Sequence, residues 1–265
     1  MSYPYIFKVV VSGKQVEVLK YSKAVWRDFK KDDFKDNEKA PNEKEEEKPK
    51  ELTEQEILEL KKKLAKSSLC RTKTEIRRLT NANPRLNKFM TLTFAENITD
   101  LGQANYIFNQ FIKRITYKYG DFEYLAVPEF QKRGAVHYHL LCNLPFIEVA
   151  ELEAIWGQGF IKINKIDEVN NVGAYVCKYL SKDMFDERTF GKKKFFRSQT
   201  LSEAVILIGW WAMKFFNRVL QTLTPVFEKK FNSEWLGDVE YKAYSLDYFP
   251  FPDVDFKKPL IFEPI

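Results

Sequence analysis

The chain has 265 residues, a formal net charge of +6 and a hydrophobic fraction of 45%, with 23 phenylalanines and 13 tyrosines. This apolar content is enough for a packed core and excludes a wholly disordered chain, while the mild positive charge favours a polyanionic partner. The three cysteines form no CxxC pair, so they indicate neither a disulfide framework nor a thiolate zinc site and favour a reducing cytosol. The longest apolar run, 204–213, is too short to cross a bilayer and the N-terminus lacks a signal-peptide pattern, so we expect no membrane association.

The N-terminal part of the sequence predicts a β-hairpin followed by a charged linker. Two Val-rich stretches flank Ser12-Gly13-Lys14, which is a hairpin pattern, and we assign it to residues 1–28. Residues 29–54 contain almost nothing that can be buried, and two prolines interrupt them. This composition predicts a solvated, flexible linker.

Residues 55–185 alternate between helix and strand patterns. Thr53-x-x-Glu56 is a capping-box pattern that predicts a helix through Ala65, and a second helical pattern covers Ser68–Leu79. The rest of the segment follows the order strand, helix, hairpin, helix, strand, helix, which predicts an α+β fold with a mainly antiparallel sheet flanked by helices. The predicted strands are Lys88–Phe94, Phe122–Phe130, Ala135–Leu141 and Phe160–Ile166, and the helices are Leu101–Tyr119, Ile147–Trp156 and Val169 to about Met184.

The last segment, residues 186–265, is predicted to be a C-terminal extension. It begins with a basic stretch, Gly191–Arg197, and continues with a helical pattern from about Ser202 to Leu223. The tail from Phe231 is rich in aromatic residues and proline. We expect this tail to be irregular.

The two histidines of the chain stand together as His137-Tyr138-His139. Residues two apart on a strand project from the same face, so both imidazoles point to one place, as a metal site requires. The alternative is a pair of hydrogen-bonded surface imidazoles.

A third metal ligand is expected on the preceding strand. In a tight hairpin Glu129 falls roughly opposite His137 or His139, and Gln131 shares its phase as a reserve candidate. Two imidazoles and a carboxylate suit Mn²⁺ or Mg²⁺ in phosphate chemistry. A hydrolytic zinc site is the alternative, although no HExxH motif is present.

The predicted helix after Val169 carries two tyrosines one turn apart, Tyr175 and Tyr179, with Lys178 and Lys182 each three residues after one of them. A tyrosine oxygen can attack a phosphodiester and hold the cut strand as an ester, and a nearby ammonium favours the phenolate. Two tyrosines on a helix are more often packing residues. The histidine pair in the same segment favours the catalytic interpretation.

Three segments in order, KFMTLTF, EFQKRGAVHYH and YVCKYLSK, resemble the motifs of HUH-superfamily rolling-circle replication initiators. The last resembles the two-tyrosine motif of the microvirus gene A protein and related plasmid and phage initiators. The resemblance covers roughly Lys88 to Asp183. It implies a ferredoxin- or RRM-like nickase core, a metal pair His137 and His139 with Glu129, and Tyr175 and Tyr179 as nucleophiles.

The family pattern also implies the reaction and its partners. One tyrosine cuts a single strand or origin hairpin and keeps the 5′ phosphate, which leaves a 3′ hydroxyl for a host DNA polymerase. The second could release the copied circle; if only one acts, Tyr175 with Lys178 is the candidate. No GxxxxGK[ST] is present, so a host helicase would unwind the duplex. The expected location is the cytoplasm of a bacterial host.

DNA binding needs cations beside the site, and several clusters are candidates. Those singled out are Lys132 and Arg133 in the hairpin, Lys182, and the pair Arg77 and Arg78. Each cluster alone is more often a solvated face. Three other functions stay open: a conjugative relaxase or single-strand transposase, a non-catalytic DNA-binding regulator, and a metal phosphodiesterase that uses water.

Overall fold

The computed structural model describes residues 4–26, 53–166, 188 and 191–246. The chain forms two compact units. The central unit comprises residues 61–203, and the terminal unit combines residues 1–60 with residues 204–265. The four predicted segments divide the chain differently, because the N-terminal hairpin pairs with strands from the predicted extension.

The described strands and helices follow one another in a mixed order. The strands are β1 (Tyr5–Ser12), β2 (Gln15–Val25), β3 (Lys88–Thr93), β4 (Tyr124–Phe130), β5 (Val136–Cys142), β6 (Ile161–Lys165), β7 (Phe196–Arg197), β8 (Val205–Ile208), β9 (Phe227–Ser233) and β10 (Gly237–Ser245). The helices are α1 (Glu54–Ala82), α2 (Leu101–Tyr119), α3 (Val149–Trp156) and α4 (Gly209–Phe215), the last continued by a π-helical segment, Phe216–Leu220.

The central unit is built on an antiparallel five-stranded sheet in the order β6-β3-β5-β4-β7. Helices α2 and α3 cover one face, as the apolar stripe of α2 requires. Tyr138 is fully buried there, with its ring stacked on Phe108 at a centroid distance of 4.3 Å and its hydroxyl donating to Asn105 Oδ1 at 2.6 Å. Each fully buried side chain of this kind contributes roughly 1.5–3 kcal/mol to folding. The buried tyrosine therefore anchors β5 and turns both flanking histidines to the opposite face.

Helix α1 packs against that opposite face. Its residues Leu69, Ile76 and Leu79 form one buried cluster with Val127 and Leu141 of the sheet. The predicted capping box is confirmed, since Thr53 N donates to Glu56 Oε2 at 2.8 Å and Glu56 N donates to Thr53 Oγ1 at 3.3 Å. The two helices predicted over Thr53–Leu79 are one continuous helix, because no glycine or proline lies between them.

The turn Trp156-Gly157-Gln158-Gly159 joins α3 to β6 and packs on the end of β3. Trp156 is buried and its Nε1 donates to the carbonyl of Thr93 at 3.0 Å. Ala95 N donates to the carbonyl of Gln158 at 2.7 Å. A Cβ on Gly159, whose φ is 151°, would clash with Thr93 O and lie 2.7 Å from Ala95 N. Only glycine fits this approach.

Gly159→Ala is expected to lower the free energy of unfolding by at least about 3 kcal/mol, because backbone strain adds to an overpacked contact. Thermal unfolding followed by circular dichroism measures the change. Gly157→Ala is the matched control: Gly157 also has a positive φ, 64°, but an added Cβ would meet its nearest atom at 3.8 Å. The control should cost about 1 kcal/mol, and equal losses in the two variants would contradict the steric argument.

The terminal unit contains a second antiparallel sheet, in the order β8-β1-β2-β10-β9, with α4 against one face. Two predictions for this region were wrong. The segment predicted as a helix from Ser202 begins as β8, because its β-branched residues pair with β1, and the helix starts only at Gly209. The expected irregular tail from Phe231 is largely the β9–β10 hairpin, since β10 finds a partner in β2.

The observed fold confirms the predicted class, α+β with antiparallel sheets and flanking helices. The core elements lie within about two residues of their predicted ends. No helix in the described part of the chain is long and apolar enough to span a membrane. The predicted linker at 29–52, the helix from Val169 to about Met184 and the tail beyond 246 lie outside the described residues.

Candidate functional site

Three neighbouring strands bring the candidate ligands together on one face of the central sheet. His137 of β5 pairs with Glu129 of β4 on one side and with Thr93 of β3 on the other. His139 pairs with Thr91 in the same way. Cross-strand partners point to the same face with Cβ atoms about 4.5–5.5 Å apart. The pairing therefore places a carboxylate, two imidazoles and two hydroxyls on one small surface.

The His139 ring is held on three sides. Its Nε2 lies 2.5 Å from Glu129 Oε2, and its Nδ1 lies 3.0 Å from Thr91 Oγ1. The ring of Phe89 stacks on it at a centroid distance of 5.7 Å and an angle of 17°. A threonine at one ring nitrogen orients the ring and leaves the other nitrogen for Glu129 or a ligand.

His137 has a different environment. Its Nε2 is buried and has no hydrogen-bond partner among the described residues. Burial lowers the pKa of this imidazole to about 4, and His139 adds to the effect while Glu129 opposes it. The ring is therefore uncharged at neutral pH, which is the form that binds metal ions.

These residues fit a divalent cation in their donor chemistry. A neutral imidazole with an unpaired buried nitrogen, a second imidazole and a carboxylate are typical ligands of Mn²⁺. In the described residues, however, no three His, Cys, Asp or Glu side chains form a group that could already hold an ion. Glu129 contacts His139 directly, so an ion shared by the two side chains would have to separate them.

Glu129 is better placed than the reserve candidate Gln131. The side-chain oxygen of Gln131 accepts a hydrogen bond from Arg133 Nε at 2.7 Å. A second guanidinium nitrogen of Arg133 donates to the carbonyl of Phe94, also at 2.7 Å. Gln131 and Arg133 thus fasten the hairpin loop to the end of β3, whereas the carboxylate of Glu129 reaches the histidines.

The hairpin loop is also the centre of a basic rim. Lys132 and Arg133 are exposed at its tip, although Arg133 is held by the two bonds just described. The guanidinium carbon of Arg188 lies 3.9 Å from the centroid of the Phe130 ring, and Arg188 Nη1 lies 3.8 Å from the Cβ position of Gly134. Sequence reasoning missed Arg188, because nothing in a local pattern links it to a hairpin so much earlier in the chain.

The other predicted site residues fall into two groups. Arg77 and Arg78 are half-buried and engaged in interactions on α1, the helix that packs on the histidine face. Tyr175, Lys178, Tyr179 and Lys182 lie outside the described residues. The structure thus assembles the predicted ligand set and the hairpin cations, while the tyrosines and their lysines remain sequence predictions.

Comparison with known proteins gives one match. Residues 87–184, less than half of the chain, match the model of the family described as replication-associated protein ORF2/gene 2 protein. The matched segment contains Glu129, both histidines, Tyr175 and Tyr179. No curated protein and no solved structure matches the chain significantly. The family match supports a replication initiator and, with it, a DNA-binding role.

Proposed function

We propose that this chain is a site-specific single-strand DNA endonuclease and strand transferase of the HUH type that initiates rolling-circle replication. One observation carries the proposal: His137, His139 and Glu129 share one face of the sheet, and His137 has an unpaired buried nitrogen within the described part of the chain. These residues lie in the segment that matches a family of replication-associated proteins. A non-catalytic DNA-binding regulator would not need this ligand set.

In the proposed reaction, His137, His139 and Glu129 hold Mn²⁺ or Mg²⁺. A bound ion of this kind polarises the phosphoryl oxygen of the scissile phosphate. The hydroxyl oxygen of Tyr175 or Tyr179 forms a bond to phosphorus, and the bond from phosphorus to the 3′ oxygen breaks. The tyrosine proton leaves to solvent or to Lys178, and the 3′ oxygen takes up a proton. The products are a 5′-phosphotyrosine ester and a free 3′ hydroxyl.

The products define the partners that the proposed function requires. A free 3′ hydroxyl is a primer for a host DNA polymerase, and a host helicase would supply the unwinding that this sequence does not encode in a GxxxxGK[ST] motif. When a second tyrosine or the 3′ hydroxyl attacks the ester, the strand is transferred or rejoined. The same protein is therefore a nickase and a ligase.

The test is incubation of the full chain with Mn²⁺ and single-stranded DNA that carries the replicon's origin, followed by a denaturing gel. A band in which labelled DNA migrates with the protein supports the proposal, because only a covalent link survives denaturation. EDTA should abolish the band. Cleavage without an adduct would instead indicate hydrolysis by water.

The basic rim gives a separate prediction for DNA binding. A Lys132→Ala/Arg188→Ala double variant should bind single-stranded DNA less tightly, and the slope of log K against log salt should become shallower by about 1.4, or 0.7 for each lost phosphate contact. Fluorescence anisotropy over a salt series measures both quantities. Lys113→Ala is the control, because Lys113 is exposed on α2, the helix that covers the opposite face of the sheet. An unchanged slope in the double variant would exclude both cations as phosphate contacts.

A further inference from the structure

Two buried polar atoms without partners lie on neighbouring strands at the site. Thr93 Oγ1 and His137 Nε2 are both buried, and within the described ranges neither has a hydrogen-bond partner. Thr93 is only 6% exposed and stands directly opposite His137 in the β3–β5 pairing. Both side chains therefore project from the same face.

Unsatisfied buried groups of this kind are unfavourable. A buried hydroxyl without a partner costs about 1–3 kcal/mol, and proteins usually satisfy such groups with another residue, a water or an ion. Two such groups on directly paired residues indicate that one missing species satisfies both. A species that accepts an imidazole nitrogen and a hydroxyl oxygen together is a cation or its coordinated water.

The two threonines of β3 have different roles. Thr91 Oγ1 is already engaged with His139 Nδ1. The backbone of Thr93 is also engaged, since its carbonyl accepts from Trp156 Nε1 at 3.0 Å and its N–H donates to the carbonyl of Phe160 at 3.1 Å. These backbone bonds explain the position of Thr93 but not its hydroxyl, because valine has nearly the same shape. The hydroxyl remains without a structural task among the described residues.

We propose that Thr93 is a further oxygen donor at the metal site, binding the cation of His137, His139 and Glu129 directly or through a water in its coordination shell. The inference rests on the proposed function, because it assumes that these three residues hold a cation. It adds a hydroxyl ligand from β3 to ligands from β4 and β5. All three central strands then contribute to one ion.

The test uses Mn²⁺ alone with the full chain, and the free ion is measured by its electron paramagnetic resonance signal. Thr93→Val should weaken Mn²⁺ binding about tenfold, as loss of a supporting ligand does, and Thr93→Ser should restore it to within about twofold. In EDTA, Thr93→Val should melt at the same or a higher temperature than the unchanged protein, since an unsatisfied hydroxyl has been removed. A merely structural threonine would not combine these two results.

Thr80→Val is the matched control. Thr80 Oγ1 is also buried and, in the described part of the chain, without a partner, but it lies on α1. This variant should leave Mn²⁺ affinity unchanged. If Thr93→Val binds Mn²⁺ as tightly as the unchanged protein while His137→Ala binds it weakly, Thr93 is not a donor. If His137→Ala also binds as the unchanged protein does, the metal site itself is overturned.

Discussion

The Tyr175→Phe/Tyr179→Phe double variant is expected to form no covalent complex with origin DNA, while it binds the same DNA with unchanged affinity. Phenylalanine keeps the ring and removes only the oxygen that would attack phosphorus. The proposed chemistry has no other nucleophile, so the adduct should fall below detection. A denaturing gel with DNA labelled at its 3′ end detects the adduct, because the proposed ester retains the downstream fragment.

The single variants show how the two phenols are used. If either tyrosine can start the reaction, each single variant keeps an adduct; if Tyr175 alone cuts, only Tyr175→Phe loses it. Tyr117→Phe is the matched control, because Tyr117 is 94% exposed on α2 and has no proposed role. An adduct that persists in the double variant would refute the assignment of both nucleophiles.

His137→Ala is expected to lower the rate of Mn²⁺-dependent cleavage by about 10³-fold or more. A metal ion at a phosphoryl group supplies several kcal/mol of transition-state stabilisation, and each 1.36 kcal/mol corresponds to a factor of about ten in rate. Single-turnover cleavage at saturating DNA measures the effect. Because Nε2 has no hydrogen-bond partner among the described residues, its removal leaves no other polar group there unsatisfied.

The controls for His137→Ala separate catalysis from folding and binding. Its melting temperature in EDTA should stay close to that of the unchanged protein, and its affinity for DNA in EDTA should not change. Full cleavage activity in the variant would contradict a metal role for His137. An enzyme that uses water would lose cleavage in His137→Ala but keep it in the double tyrosine variant, so the two experiments together separate the two mechanisms.

The sequence predicted the central sheet well because its signals are local. The strand KFMTLTF and the helix Leu101–Tyr119 carry clear periods of about 2 and 3.6 residues, and the short loop ending at Gly134 sets the pairing of β4 with β5. The same loop places Glu129 opposite His137. The predicted ligand set therefore follows from one hairpin.

The errors and omissions involve contacts between distant parts of the chain. The apolar run at Val205–Ile208 fits a helix as well as a strand, and only its pairing with β1 decides the outcome. Thr91 and Thr93 attracted no attention, because threonine is an ordinary strand residue and its role depends on the strand beside it. Arg188 likewise became visible only through its position over Phe130.

The pairing of β1 and β2 with β8 and β10 has a consequence for biosynthesis. The whole central unit, residues 61–203, lies in sequence between the two halves of the terminal sheet. On the ribosome the first hairpin emerges early and must wait for its partner strands, while the central unit can fold as soon as its own last strand is released. Completing the terminal sheet closes a very long loop, so we expect it to be the later and slower step. A nascent chain arrested after residue 203 would carry the assembled histidine site beside two unpaired strand edges, a form that is prone to aggregate.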